Sequence, residues 1–566
     1  MRNNRKILDD VLLRYLQFQE KQLTELTAFV DSELNIMESF ATIMEEEAEI
    51  FKAHMKMQDN LISWTCKSEE GQDLCNQIQK YDVDLVDISD EFNFELTGTS
   101  FGTDSNSIMY VLGESNIDDP DKLKSLFSKI RIQYKYISCS DSNEKINEIF
   151  KKENRNIMGV VGLYNQENLR DLDMQYLEKM FLLSKLLMNY SKNNLMLKKE
   201  LLFWSISFGN TYLGYKAINT PTAAVGVSGL IKTMNKEAAE KINCKIIEID
   251  QMNSNDCVLD KMLLYSGKRV EFFFTNSKVF STYLKLSASN DKTHPLINKK
   301  DKFLVIGGAK GITATCIKEL AKTHQCDFLL VGSTHLEKIT EREEDVENIR
   351  KRVIWLARKK NEKINAVEMN RSVKKIQDQK QMQQNISEMI SLGSSVEYIQ
   401  CDITDIDQVS RLPIQGITGI IFGAGIIQDN LIVNKSIEEF CKVYRVKYRG
   451  LTNILSVVNI AELHHLVLFS SISGFFGNEG QADYASANEF LNYMARHIKY
   501  SFPNCNILSL NWGPWEIGMV DSNIKKIMEE KGLTLIQEDV GKKYFIDSIC
   551  YKSNVPQVVI NSKENF

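Results

Sequence analysis

The sequence predicts an α/β protein, two doubly wound parallel-sheet units preceded by an all-helical segment. Three observations carry that reading. Short β-rich runs alternate with helical ones, first over residues 107–249 and again over 303–510, as strand–helix–strand crossovers require. The first strand of the second series runs into Gly307-Gly-Ala-Lys-Gly-Ile-Thr313, a glycine-rich turn that opens a helix. The stretch from about residue 7 to 57 holds neither Gly nor Pro. A chain of 566 residues, 43% hydrophobic and 25% charged, has room for three or four folding units at roughly 150 residues each.

In residues 1–65, hydrophobic side chains recur every seven positions at Leu16, Leu23, Val30, Met37, Met44 and Phe51, half of a heptad seam. The companion positions Gln19, Leu26, Glu33, Phe40 and Glu47 are mixed. The segment is therefore read either as a helix that self-associates or docks on a partner, or as a helical pair folded on its own chain.

Residues 80–290 form the first α/β unit, with strands expected at Ser107–Leu112, Tyr134–Ser138, Ile157–Leu163, Leu201–Phe208 and Lys245–Ile249. Where its first strand ends, Gly113 is followed by Glu-Ser-Asn-Ile-Asp-Asp. That acidic stretch repels pyrophosphate, so this unit is expected to bind no nucleotide.

Residues 300–566 form the second unit. Its strands are expected at Phe303–Ile306, Phe328–Val331, Val396–Ile399, Gly419–Phe422, Leu466–Phe469 and Asn506–Leu510. A charged insertion without Pro, about residues 337–389, separates the second strand from the third and reads as solvent-facing helix.

Composition excludes several functions. Sixty-nine Lys and Arg against 75 Asp and Glu leave a formal charge of −6, so no whole-chain basic field draws in nucleic acid. Eleven cysteines without a CxxC pair suggest reduced thiols and no metal site. No apolar run reaches the roughly 18–20 residues that span a bilayer. A cytoplasmic protein with neither membrane nor nucleic-acid partner is expected.

The residues that carry chemistry cluster in the second unit. Gly307 and Gly311 suit a turn that lets backbone approach a pyrophosphate at a helix N-terminus. Cys401-Asp-Ile-Thr-Asp405 follows the third strand, where Asp402 could accept from an adenine amino group. Phe422-Gly-Ala-Gly425 follows the fourth and could pass flat against a ribose. Ser471 lies at the end of a strand, Tyr484 thirteen residues on, and Asn488 one helical turn beyond Tyr484 on the same face. Lys447 sits upstream on an expected helix. A phenol with an ordinary pKa near 10 donates poorly at neutral pH, and a nearby ammonium lowers it toward the useful range. A Ser, Tyr and Lys set suits carbonyl reduction.

These motifs, with Asn511-Trp-Gly-Pro-Trp515, make residues 300–566 resemble the catalytic half of a polyketide-synthase ketoreductase, a branch of the short-chain dehydrogenase/reductases. Ordinary members of that superfamily carry Tyr-x-x-x-Lys. This chain has Asn488 at the fourth position and Lys447 upstream, as polyketide ketoreductases do. Residues 80–290 resemble the truncated, cofactor-free half that accompanies it, especially Ala223–Thr233 with Cys244–Asp250. The charged insertion and the Gly-Gly-Ala-Lys-Gly-Ile-Thr loop look closest to polyunsaturated-fatty-acid-synthase and trans-acyltransferase types.

The resemblance implies two Rossmann-like subdomains, one of them truncated, and reduction of a β-ketoacyl thioester by NADPH. Tyr484 would protonate the nascent alkoxide, Ser471 hold the carbonyl oxygen, Lys447 bind the nicotinamide ribose and tune Tyr484, and Asn488 complete a proton relay. The cofactor would lie along Gly307, Gly308, Lys310, Gly311, Ile312, Ser333, Asp402, Ile403, Gly423, Ala424, Gly425 and Trp512, and the substrate along Asp429, Phe476 and Pro514. The family's arginine for the 2′-phosphate is replaced by Ser333, and Lys310, or else Lys338 or His335, would supply the missing charge. Phe422 replaces a residue that is often polar, with no consequence drawn. Asp429 with no Trp at position 476 implies the D-configured product. The implied partners are an acyl carrier protein bearing the phosphopantetheine-tethered substrate, other polyketide-synthase components, and another copy of the chain through the N-terminal helices.

Two other readings remain: a free-standing reductase of a small ketone, and a silent scaffold. The four intact catalytic positions argue against the scaffold. No condensing, acyltransferase or carrier segment is visible, so one step is expected of this polypeptide. Its last run, Val555–Ile560, resembles the reductase's final strand, and the chain reads equally as a discrete protein or an excised part.

Overall fold

Strands buried on both faces read as continuous apolar runs, and both series pair into one sheet. The computed structural model describes residues 78–92, 107–113, 133–153, 155–165, 173–194, 200–208, 223–238, 240–249, 262, 265, 267–275, 278–287, 296–336, 346–359, 365–517, 533–553 and 555–562. The helical segment expected over residues 1–65 lies outside them.

The first half contains β1 (Ile78–Asp87), β2 (Ser107–Gly113), β3 (Gln133–Ser138), α1 (Asn143–Lys151), β4 (Asn156–Asn165), α2 (Asp173–Asn193), β5 (Leu201–Phe208), α3 (Val227–Glu237), β6 (Ile242–Ile249), β7 (Glu271–Phe274) and β8 (Val279–Leu286). The second continues with β9 (Lys302–Ile306), α4 (Gly311–His324), β10 (Asp327–Gly332), α5 (Val346–Lys359), α6 (Ala366–Ser391), β11 (Val396–Gln400), α7 (Ile406–Val409) and β12 (Gly419–Phe422). It is completed by α8 (Ile437–Val457), β13 (His465–Ser471), α9 (Ile472–Phe476), α10 (Ala482–Ser501), β14 (Asn506–Trp512), α11 (Glu538–Cys550) and β15 (Gln557–Ser562).

The strand order is β11-β10-β9-β12-β13-β14-β15-β1-β8-β7-β6-β5-β4-β2-β3. Pairing is parallel from β11 to β15 and from β7 to β3. The joint between the halves is antiparallel, β15 to β1, β1 to β8 and β8 to β7. Strand order reverses between β9 and β12 and again between β2 and β4, so each half has its own switch point, the usual place for a crevice at strand carboxyl ends.

The α/β class is as the sequence predicts, but the reading overlooked β1, β7 and β8. Their side chains alternate or form runs of four, and their partners lie far along the chain. The charged insertion also differs from expectation, because it is not wholly solvent-facing. Helix α5 is extra. Helix α6 is the crossover that joins β10 to parallel β11, and it buries Met382 and Met389 in the core with Cys316 and Leu320 of α4. Asn365 and Glu368 form a capping box that starts it.

Helix α10 is buried on nearly every side, which its Ala- and Ser-rich first turns allow. A Cβ at Gly229 of α3 would stand 2.4 Å from the Ala485 carbonyl, so the two helix backbones nearly touch. Beside that contact Lys232 pairs with Glu271 at 3.0 Å and Glu489 at 3.4 Å. Arg496 closes the group, donating to Glu489 at 2.9 Å and Gln557 at 2.6 Å. All four charges are buried, so removing one member leaves an uncompensated charge, a loss of roughly 3–5 kcal/mol.

Candidate active site

The turn after β9 and the turn after β12 meet at the switch point. Gly307 (φ +79°) and Gly311 (φ +67°) adopt left-handed conformations that favour glycine. A Cβ on Gly307 would lie 2.9 Å from the Ala424 nitrogen, one on Gly423 2.1 Å from Thr313 Oγ1, and one on Gly308 2.4 Å from Val305 Cγ1. Thr313, standing where a third glycine is usual, thus fills the space beside Gly423. Lys310 occupies the N-cap of α4 without a capping side chain, and a Cβ at Gly311 would meet nothing within 4 Å. The first N–H groups of α4 therefore face open space at the positive end of a fourteen-residue helix, which fits a pyrophosphate.

Toward the carboxyl ends of β12 and β13 the structure brings Lys447, Ser471, Tyr484 and Asn488 together. Lys447 reaches from the middle of α8 to donate to the Phe469 carbonyl at 3.0 Å. It passes so near Gly425 that a Cβ there would be 3.1 Å from Cε. Ser471, the last residue of β13, caps α9: its Oγ accepts from the Ser473 N–H at 3.2 Å. Tyr484 stands in the first turn of α10. One turn on, Asn488 donates to the Tyr484 carbonyl at 2.8 Å, and its Oδ1 is buried with no partner among the described residues. A buried amide oxygen with no hydrogen-bond donor in a site that also holds Ser471 and Tyr484 fits a hydroxyl-bearing ligand.

Electrostatics here differ from expectation. Burial pushes the Tyr484 phenol above its ordinary value, against smaller opposing effects of hydrogen bonding from Asn488 and Ser471. Burial also pulls Lys447 down to about 7. The expected lowering of Tyr484 by an adjacent ammonium is therefore not how the ligand-free site is set, because desolvation acts on both groups and leaves the lysine only partly charged near neutrality.

Residues 302–517 match the family model described as KR domain. Over this stretch the chain is similar to KR domains. The match supports an oxidoreductase that acts on ketones. The chain is 31% identical over 265 residues to a polyunsaturated fatty acid synthase protein of Thraustochytrium, covering 43% of this chain and 9% of that protein. To polyketide synthase PksN of Bacillus subtilis it is 27% identical over 336 residues, 56% of this chain and 5% of that one. It thus spans less than a tenth of the length of these relatives. Among solved structures, a ketoreductase domain from the bacillaene assembly line superposes with a TM-score of 0.60 at 21% identity, covering 86% of this chain and 97% of that chain. An N-terminal ketoreductase from the macrolactin assembly line gives 0.63 at 16% identity, covering 91% and 98%. At such identities these structures establish the fold alone.

Where the sequence reading expects the adenosine half of a cofactor, Lys310 is ion-paired with Asp378 of α6. Ser333 is exposed, and its carbonyl accepts from Gln400 at 3.3 Å. His335 pairs with Gln400 at 3.0 Å, and its carbonyl accepts from Gln379 at 2.8 Å. Asp402 is exposed and bends back to accept from the Thr404 N–H at 2.9 Å and hydroxyl at 2.8 Å. Lys338 lies outside the described residues.

Two expected cofactor residues turn out to pack the core. Ile403 is buried against Gly450 of α8, where a glycine Cβ would sit 2.4 Å from its Cδ1. Trp512 is buried between Phe469 and Trp515. Local sequence marks the ends of strands, not which way each side chain leaves them.

On the substrate side, Asp429 accepts from Gln481 Nε2 at 3.2 and 3.0 Å. Phe476 ends α9, edge-on to Phe475. Pro514 is half-buried, and its carbonyl accepts from the Ile536 N–H at 2.8 Å.

Sequence reasoning missed three connecting residues. Gln481 Oε1 accepts from the Ser473 hydroxyl at 2.8 Å, which in turn stands 3.3 Å from Ser471 Oγ. Asn385 of α6 donates to the Ala309 carbonyl at 2.9 Å and steadies the glycine turn. Gln481, three positions before Tyr484, was within reach of a spacing argument; Asn385 was not, being 76 residues from its partner.

Proposed function

We propose that this chain holds a KR domain, which reduces the β-carbonyl of an acyl group held as a thioester on an acyl carrier protein, using NADPH, to the D-configured 3-hydroxyacyl thioester. The observation that supports this most is the convergence of Lys447, Ser471, Tyr484 and Asn488 beside the open glycine turn. The bound nicotinamide supplies the hydride. Ser471 Oγ, already fixed as a helix cap, donates to the carbonyl oxygen and orients it. Tyr484 gives its phenolic proton to the oxygen as negative charge develops there. Lys447 and the free Oδ1 of Asn488 line the route by which that proton is replaced. Membership of a synthase agrees with relatives that are parts of far longer chains.

Among the described residues no helix is long and apolar enough to cross a membrane. Asp429, held toward α10 by Gln481, would line one wall of the groove and present a single carbonyl face.

The test is NADPH oxidation with a β-ketoacyl carrier protein and with its small thioester mimic, followed by chiral analysis. Faster turnover of the carrier-bound substrate to a D product is expected. Reduction of a simple diffusible ketone in preference to both thioesters would favour the free-standing reductase, and a predominantly L product would overturn the role of Asp429.

Cofactor choice gives a second test. Ser333 carries no charge, so discrimination for NADPH falls to Lys310, which must exchange Asp378 for the 2′-phosphate. Lys310→Ala is expected to lower the NADPH-to-NADH efficiency ratio about tenfold, the scale of one exposed charge-assisted hydrogen bond. An unchanged ratio would move the role to His335 or Lys338.

A further inference from the structure

Helix α3 belongs to the half of the chain that has no glycine turn, yet it faces the loops around Ser471 and Asp429. Glu237, at its C-terminal end, accepts from two backbone N–H groups far apart in sequence: Ile432 to Oε2 at 2.9 Å and Gly480 to Oε1 at 3.0 Å. Between those anchors the Asn430 N–H donates to the Gly480 carbonyl at 2.8 Å. One residue on from Gly480, Gln481 grips Asp429 and accepts from Ser473, whose N–H and hydroxyl both meet Ser471.

The loop before α10 needs an outside anchor. Gly477 (φ +71°) and Gly480 (φ +73°) hold left-handed conformations. Helix α3 supplies that anchor three times: Lys232 donates to the Gly474 carbonyl at 3.3 Å, Thr233 Oγ1 accepts from the Asn478 N–H at 3.3 Å, and Glu237 takes the far end. Glu237 alone of the three also reaches the Asp429 loop.

We infer that Glu237 is a positioning residue for the acyl groove, its carboxylate fixing the loop that carries Asp429 against the loop that carries Gln481. The inference rests on the groove assignment made above for a β-ketoacyl substrate. Its chemical content is specific: both carboxylate oxygens are used, one per loop. A glutamine in its place keeps the size but turns an NH2 donor toward one of the two N–H groups, so one loop loses its acceptor.

The experiment compares the full chain with Glu237→Gln, Glu237→Asp and Glu178→Gln. Glu178 of α2 makes a different contact between the halves, to Arg445 of α8 at 3.2 Å, and is the control for a merely cohesive role. Hydrogen exchange over residues 428–435 and 478–481 reads the loops directly. Both segments are expected to exchange faster in Glu237→Gln and to remain at wild-type rates in Glu178→Gln.

With a β-ketoacyl thioester, Glu237→Gln is expected to raise KM about tenfold, keep kcat within about threefold and lower the enantiomeric ratio of the product, with NADPH affinity unchanged. Glu237→Asp, which keeps both oxygens, should recover part of the ratio. Wild-type exchange rates in Glu237→Gln, or KM and enantiomeric ratio unchanged, would overturn the inference. If Glu237→Gln fails to fold, Glu237→Asp is read by the same measures, its shorter stem relaxing both loops. Should the wild-type chain reduce no β-ketoacyl thioester, the proposed function fails, while the exchange data still decide whether Glu237 ties the two loops.

Discussion

Tyr484→Phe is expected to keep the fold and lose between about 10²- and 10⁴-fold in kcat for ketone reduction, the usual worth of a general acid. The ring stays in place because α10 is packed around it, with Asp483 and Ala485 on either side buried. Only the hydroxyl goes. The loss should not depend on pH across the neutral range, because burial holds the phenol above its ordinary value and protonated throughout that range. Turnover with the thioester mimic, measured beside cofactor binding and thermal unfolding, checks it. A variant with most of its turnover left would remove Tyr484 from the role of acid.

Lys447→Met should couple a loss of activity to a gain in stability. The amine is 3% exposed, its ordinary pKa is 10.5, and burial brings it to about 7 in the folded chain. Between those values the unfolded chain holds a proton that the folded chain does not, so native stability rises with pH across that window. The penalty is greatest below about pH 7 and is at most about 5 kcal/mol there. Methionine fills much of the same volume without the charge, so the cofactor-free variant at pH 6 should be more stable than wild type by roughly 2–5 kcal/mol, less the bond to Phe469. That advantage should shrink as pH rises toward 10. Activity should fall by about 10²-fold or more, since the amine proposed to line the route of proton replacement is gone. Denaturant midpoints at pH 6 and pH 9 decide the first claim; equal stability of the two proteins at pH 6 would show that Lys447 is not held at a cost.

Much of this site was legible in the sequence because its signals are local. The glycine turn lies between an apolar run and a helix, and both positive φ angles fall on the glycines read as phosphate-facing. Tyr484 and Asn488 share a face by helical spacing, and the 2.8 Å bond between them is that spacing made visible. The strands of both series appear within a few residues of their expected ends, Leu201–Phe208 and Gly419–Phe422 at the same residues. That the side chains of Ile403 and Trp512 lie in the core was not legible, because a motif places a residue at the end of a strand without saying whether its side chain enters the crevice or the core.

By itself, then, the chain determined most of the alternating strands and helices, the glycine turn between β9 and α4, and the spacing of Ser471, Tyr484 and Asn488, since periodicity and turn chemistry act over a few residues. Tertiary structure alone decided the rest. It set the distance from Lys447 to Phe469, the pairing of Lys310 with Asp378, and the antiparallel joint through β1 and β8 that makes one sheet of two halves. It also set the approach of Gly229 to α10 and the reach of Glu237 to Ile432 and Gly480, contacts between residues 195 to more than 250 positions apart. Such contacts depend on how layers stack and on which buried charges find partners, and no local pattern of residue types encodes either.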